Sequence, residues 1–285
     1  MRSAVKVRYN KLVEPEKTGR EDLDMALMQV DFFSNVLGMC VQMDVILPQQ
    51  TSGQIGMETK AGEKFPTLYL LHGLSDDHTI WLRRTSIERY VSEMNLAVVM
   101  PTTHVGWYAD MAYGNRYWTY LTQELPQVCR SFFRGMSDKR EDTFIAGLSM
   151  GGYGAFKAAL GAPQTFCAGA SLSGALDVAE LAHGTSLGDA HYWYTVFGDP
   201  DKVKGSQNDV FHLAEQCKSS GQMPRLYQWC GTEDSLYAQN VRMRDHLQRL
   251  GYDLTYEESP GDHRWCYWDE KIQSVLNWWE QGRGK

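Results

Sequence analysis

The chain has 285 residues, a formal net charge of -7, 43% hydrophobic and 22% charged residues, the make-up of a globular protein with room for one large α/β domain. The acidic balance and the lack of a long basic run exclude nucleic acid as the main partner, because phosphate contacts need clustered Lys and Arg. No stretch approaches the roughly 20 apolar residues of a membrane span, and Met1 to Asp24 is polar, without the apolar core of a secretory signal.

Residues 1–24 read as a loosely held extension and 25–285 as the folded domain. Met28 to Ser34 and Cys40 to Leu47 are predicted strands, joined near Gly38 and closed by Pro48. Gln49 to Lys64 is polar and Gly-rich, a surface loop. Thr67 to Leu71 is a near-continuous apolar run, the signature of a strand covered on both faces of a parallel sheet. Leu96 to Met100 reads as a strand, Tyr117 to Phe133 as a helix, Thr143 to Leu148 as a strand, Gly151 to Leu160 as a helix and Phe166 to Leu172 as a strand. The interval from about 175 to 223 breaks this rhythm. It is rich in Gly, Asp and His, and short helices over the carboxyl edge of the sheet, forming a cap or lid, are expected there. Leu226 to Cys230 is a strand, Ser235 to Leu250 a helix, Leu254 to Glu257 a short strand and Trp268 to Trp279 the closing helix. Alternation of this kind gives a mostly parallel sheet with helices on both faces. The six cysteines are scattered without a C-x-x-C pair, which suits free thiols and a reducing cytoplasm.

The segment Gly147-Leu148-Ser149-Met150-Gly151 is a G-x-S-x-G pentapeptide set between a predicted buried strand and a predicted helix. A nucleophilic serine needs a sharp strand-to-helix turn that exposes its hydroxyl, and flanking glycines make room for that turn. The helix start that follows offers free N–H groups and a positive dipole end to developing negative charge. Ser171 and Ser173 lack such flanks. The expected architecture is therefore the α/β-hydrolase fold, in which the triad runs Ser, acid, His along the chain. His246 lies within a predicted helix among Val241, Met243, Leu247 and Leu250. His263, in the loop Pro260-Gly261-Asp262-His263-Arg264, is left as the base. The loop after Leu226–Cys230 supplies Glu233 and Asp234. Asp234 is preferred as the acid, with Glu233 the neighbouring alternative, Asp177 a rival and Asp262 a turn residue. The second oxyanion donor in this fold comes from the loop after the first buried strand. Leu74 and Met150 backbone N–H groups are thus the candidate donors, and His72 a brace of that loop.

The pieces Leu70-Leu71-His72-Gly73-Leu74-Ser75-Asp76-Asp77, Gly106-Trp107-Tyr108, Glu124-Leu125-Pro126, Ala146 to Gly154, Cys230 to Asp234 and Gly261-Asp262-His263 resemble the esterase D group of hydrolases. The tributyrin esterase branch is the most similar, with S-formylglutathione hydrolases and feruloyl or acetyl-xylan esterases as relatives. The resemblance implies short-chain acyl esters as substrates, Asp234 as the acid and a tendency to self-associate. Gly73-Leu74-Ser75-Asp76 departs from the Gly-Leu-Thr-Cys-like loop of S-formylglutathione hydrolases, which argues against the glutathione thioester. Trp107 and Tyr108 by this resemblance, and Trp193 and Trp265 by position, are candidate substrate-binding walls. No metal is expected, since the histidines and cysteines show no ligand spacing for zinc, and no organic cofactor is needed for ester hydrolysis. A small-molecule ester is the expected partner. An inactive binding protein on the same fold, which would usually lack a triad member, and an acyltransferase are the alternatives.

Overall fold

A computed structural model describes residues 23–50, 64–184 and 188–283. Most of the expected extension and of the Gly-rich loop therefore lies outside the described residues. Eight strands form one sheet: β1 (Leu23–Ser34), β2 (Met39–Gln50), β3 (Thr67–Leu71), β4 (Ala97–Pro101), β5 (Thr143–Leu148), β6 (Ala168–Leu172), β7 (Arg225–Gly231) and β8 (Leu254–Ser259). Their order is β1-β2-β4-β3-β5-β6-β7-β8. The first two form an antiparallel hairpin, β2 runs antiparallel to β4, and every later pairing is parallel. Gly38, at φ 68°, turns the hairpin, its N–H donating to Ser34 O at 2.9 Å. β1 begins at Leu23 opposite Gln50, so the first strand starts five residues earlier than the sequence suggested.

Strands β3, β4, β5 and β6 are buried along their whole length, and both of their faces are apolar. Tyr69, Leu71, Val99 and Ile145 point into one core, and Leu68, Leu70, Val98, Phe144 and Ala146 into the other. The period-two side-chain alternation of a strand sends them there. The second core is closed by α1 (Ile80–Arg84), α2 (Ile87–Val91) and α10 (Trp265–Gly282), where Trp279 stacks on Phe144 at 3.9 Å between ring centroids. The first is closed by α3 (Tyr117–Thr119), α4 (Leu125–Phe132), α5 (Met150–Gly161), α6 (Val178–Leu181), α7 (Ala190–Phe197), α8 (Val210–Ser220) and α9 (Tyr237–Leu250).

Two differences from the sequence reading have local causes. The helix expected over Tyr117 to Phe133 is interrupted by a π turn at Tyr120–Glu124. Pro126 has no N–H for the helical ladder, and a widened turn before it absorbs the loss. The turn also aims Glu124 at the β1–β2 hairpin, where it accepts from Asn35 N at 2.7 Å, Val36 N at 3.2 Å and the Ser34 hydroxyl. The interval read as a possible cap or lid includes α8. Val210, Leu213, Ala214 and Cys217 bury its inner face against α5 and α9, making it an ordinary crossover helix, N-capped by Asp209 and stopped by Gly221 at φ 76°. No helix among the described residues is long and apolar enough to cross a membrane.

Candidate active site

Ser149 stands at the junction of β5 and α5 with φ 51° and ψ -117°, a conformation L residues rarely adopt. Neighbouring backbone fixes it. Ser149 N donates to Leu172 O at 2.9 Å, and its carbonyl accepts from Tyr153 N and Ala175 N, each at 3.1 Å. The pentapeptide glycines are required by close approach. A Cβ on Gly147 would lie 2.4 Å from Gly151 O, and one on Gly151 would lie 2.6 Å from both Leu71 O and His72 O.

Two loops at the carboxyl ends of β7 and β8 meet this turn. His263 Nε2 lies 2.9 Å from Ser149 Oγ, and its Nδ1 lies 2.8 Å from Asp234 Oδ2. An ionised carboxylate can only accept, so Nδ1 carries the imidazole proton and Nε2 is free to accept the serine hydroxyl. The Asp234 side chain is fully buried, and its second oxygen accepts from Leu236 N at 2.9 Å. Burial pushes this carboxyl up. The hydrogen bond and charge of His263, with the Leu236 N–H, outweigh it and hold the group below the ordinary aspartate value. Trp268 lays its indole edge-to-face on the His263 ring at 4.8 Å; its sequence position showed only a helix residue.

The other candidate acids and bases are occupied elsewhere. Glu233 is exposed and accepts from Gly261 N, while its own N–H donates to Gly261 O at 3.0 Å, so it braces the loop that carries His263. Asp177 caps α6 and pairs with Arg242 at 2.8 Å. Asp262 pairs with Arg264 at 2.9 Å. His246 Nε2 lies 3.1 Å from Phe211 O, on the far side of α9.

The loop after β3 abuts the serine turn, since a Cβ on Gly73 would lie 3.8 Å from Ser149 Cβ. Met150 is the first residue of α5, where a backbone N–H has no partner within the helix. His72 braces this loop. Its Nε2 accepts from Thr103 N at 3.0 Å, leaving Nδ1–H to donate to Gly73 O at 2.7 Å. Burial pulls its pKa down to about 4, so it is a neutral strut. Tyr108 adds a third tie, donating its hydroxyl to His72 O at 2.8 Å.

With that geometry in place, likeness to known proteins decides the class. Residues 34–278 match the family model Esterase, described as "Putative esterase". An acetyl esterase of Caldicellulosiruptor saccharolyticus is 32% identical over 89% of this chain and 98% of its own length. A fluorophosphonate-binding serine hydrolase of Staphylococcus aureus, solved with substrate bound, superposes with a TM-score of 0.80 at 35% identity, over 90% of this chain and 98% of that one. An S-formylglutathione hydrolase of the same organism gives a TM-score of 0.78 at 36% identity over the same shares. The chain belongs to the Esterase family. It is a carboxylic ester hydrolase with the α/β-hydrolase fold.

Of the aromatic residues expected to line this esterase's cleft, three lie beneath the surface. Trp107 is 1% exposed, and Tyr108 and Trp193 are fully buried. Trp107 packs on Trp193 at 5.1 Å and on Tyr153 at 5.8 Å, and Trp193 stacks on Phe197 at 5.9 Å. These indoles join α7 to the loop after β4 and present no open wall; an aromatic at a cleft and one beneath it look alike in sequence. Trp265 is half-buried, wedged edge-on between Trp81 at 5.2 Å and Trp268 at 5.3 Å, and so backs the indole that packs on His263. Asp76 was quoted only as part of a motif. The Gly73 position that lies 3.8 Å from Ser149 Cβ lies 3.3 Å from Asp76 Oδ2, which sets a half-buried carboxyl beside the serine turn. Burial and then Asp77 push this carboxyl up, against the pull of Arg84 and Arg83. Among the described residues no cluster of three His, Cys, Asp or Glu could hold a metal.

Proposed function

We propose that this esterase hydrolyses short-chain acyl esters of small molecules through a Ser149–His263–Asp234 triad, in the manner of the tributyrin esterase branch. The observation that carries the reading is His263 bridging Ser149 and Asp234 at 2.9 and 2.8 Å. Ser149 Oγ attacks the ester carbonyl carbon as His263 Nε2 takes its proton, and the Leu74 and Met150 N–H groups stabilise the oxyanion. Collapse breaks the bond to the alcohol oxygen, which receives the proton from His263. Water then adds to the acyl-enzyme with the same base, the acid leaves and Ser149 recovers its proton. Asp234 keeps the proton on Nδ1 and stabilises the imidazolium. The named acetyl esterase relative supports a short acyl group.

Thioester hydrolysis of S-formylglutathione is the second reading, favoured by the relative of that name at 36% identity. Asp76 weighs against it. Its carboxyl, wherever it is ionised, repels a substrate carboxylate brought near it. Steady-state turnover of p-nitrophenyl acetate, tributyrin, a feruloyl ester and S-formylglutathione separates the readings. The oxygen esters of short acids are expected to give the highest kcat/KM; a preference for the thioester of tenfold or more would reverse the order.

A further inference from the structure

Lys157 is a charged residue in the interior of α5, 1% exposed, and nothing in the triad chemistry uses it. Its Nζ donates to Tyr108 O at 3.1 Å and to Asn208 Oδ1 at 2.6 Å. The nitrogen also lies 5.0 Å from the centre of the Trp118 ring and 5.7 Å from that of Tyr153. Burying a lysine is costly unless its donors are satisfied. Here the satisfied acceptors belong to two different segments, the loop after β4 and the chain entering α8.

The first of these contacts leads to the reacting centre. Trp107 and Tyr108 are consecutive non-glycine residues with positive φ, 50° and 49°, a pairing that persists only where surrounding contacts over-determine it. One face of α5 supplies those contacts. Gly154 leaves room for the Tyr108 ring, since a Cβ there would lie 2.3 Å from it, and one turn on, Lys157 holds the Tyr108 carbonyl. The Tyr108 hydroxyl then holds His72 O at 2.8 Å, and His72 precedes Gly73 and Leu74. The same helix begins at Met150, next to Ser149. A single rigid element thus carries the nucleophile at its start and, through Lys157 and Tyr108, the opposite wall of the reacting centre.

We propose that Lys157 is a positioning residue for ester hydrolysis, fixing the His72–Leu74 loop against Ser149 through Tyr108. The proposal rests on the reading of Leu74 N–H as an oxyanion donor. Burial lowers the Lys157 pKa to about 7, opposed by the charge of Asp110. In either protonation state the nitrogen keeps two N–H donors for its two acceptors, so the tie survives across the neutral range.

The test is a double-mutant cycle of Lys157→Met and Tyr108→Phe, with kcat and KM for p-nitrophenyl acetate measured alongside wild type and Ser149→Ala. A misplaced oxyanion donor is expected to lower kcat on the order of a hundredfold in Lys157→Met and about tenfold in Tyr108→Phe, with KM within about threefold. Because both act along one path, the double variant should lose little more than Lys157→Met alone. Unchanged kcat, losses confined to KM, or fully additive losses would overturn the proposal. Should Lys157→Met fail to fold, Tyr108→Phe decides by itself, since it removes one hydroxyl and leaves the packed ring; wild-type kcat there is a refutation. Wild-type turnover that persists in Ser149→Ala counts against the triad instead, and the two failures are thereby told apart.

Discussion

Replacing Ser149 by alanine is expected to lower kcat on p-nitrophenyl acetate by about a millionfold, the scale seen when a triad nucleophile is removed. The change deletes one oxygen whose hydrogen-bond partner is His263. It leaves the turn's backbone bonds from Leu172, Tyr153 and Ala175 intact, so the melting temperature should move by no more than about 3 °C. The nearby serines are not expected to take over: Ser171 in β6 and Ser173 just after it are both fully buried. Fluorophosphonate labelling followed by intact-mass measurement gives the cleanest reading. One adduct is expected on wild type and none on Ser149→Ala, and an adduct surviving on the variant would move the nucleophile elsewhere.

Asp234→Asn should cost about ten thousandfold in kcat, whereas Glu233→Gln should stay within about fivefold of wild type. The amide of an asparagine can turn its NH2 toward Nδ1. The proton then moves to Nε2, and the nitrogen facing Ser149 can no longer accept from it. Glu233 does different work, anchoring the Gly261 backbone from an exposed position, and a glutamine retains an oxygen for that bond. Steady-state kinetics of the two variants decides between adjacent carboxylates. A larger loss in Glu233→Gln than in Asp234→Asn would exchange their roles.

That pair also shows where sequence reasoning ran out. Chain order and loop position pointed to His263, and two glycines around a serine to the turn at Ser149, because both signals are local; the fold brings these two side chains within 2.9 Å. Glu233 and Asp234 differ by one residue, and only tertiary folding buries one and exposes the other. β3 and β5 were legible as unbroken apolar runs, since both of their faces meet helices. The five-residue helices α1 and α2 are too short to show a period. Burial of Trp107, Tyr108 and Trp193 could not be foreseen either, as indoles and phenols serve equally in walls and in cores. Lys157 is the extreme case: a lysine in a helix reads as solvent-facing, and its true setting depends on a loop 49 residues earlier in the chain.

The proposed triad is unevenly supported by the sheet. Ser149 and Asp234 follow interior strands, but His263 follows β8, the last strand of the order, none of whose residues is fully buried. Outer strands open at lower free energy than the centre of a sheet. The weakest seam in the architecture is thus the one that holds the proposed proton carrier. On warming or in dilute urea, catalysis should fade while the circular dichroism of the helices is still native, and recover as soon as the rim closes again. Simultaneous loss of both signals would mean that β8 is tied down as firmly as the core.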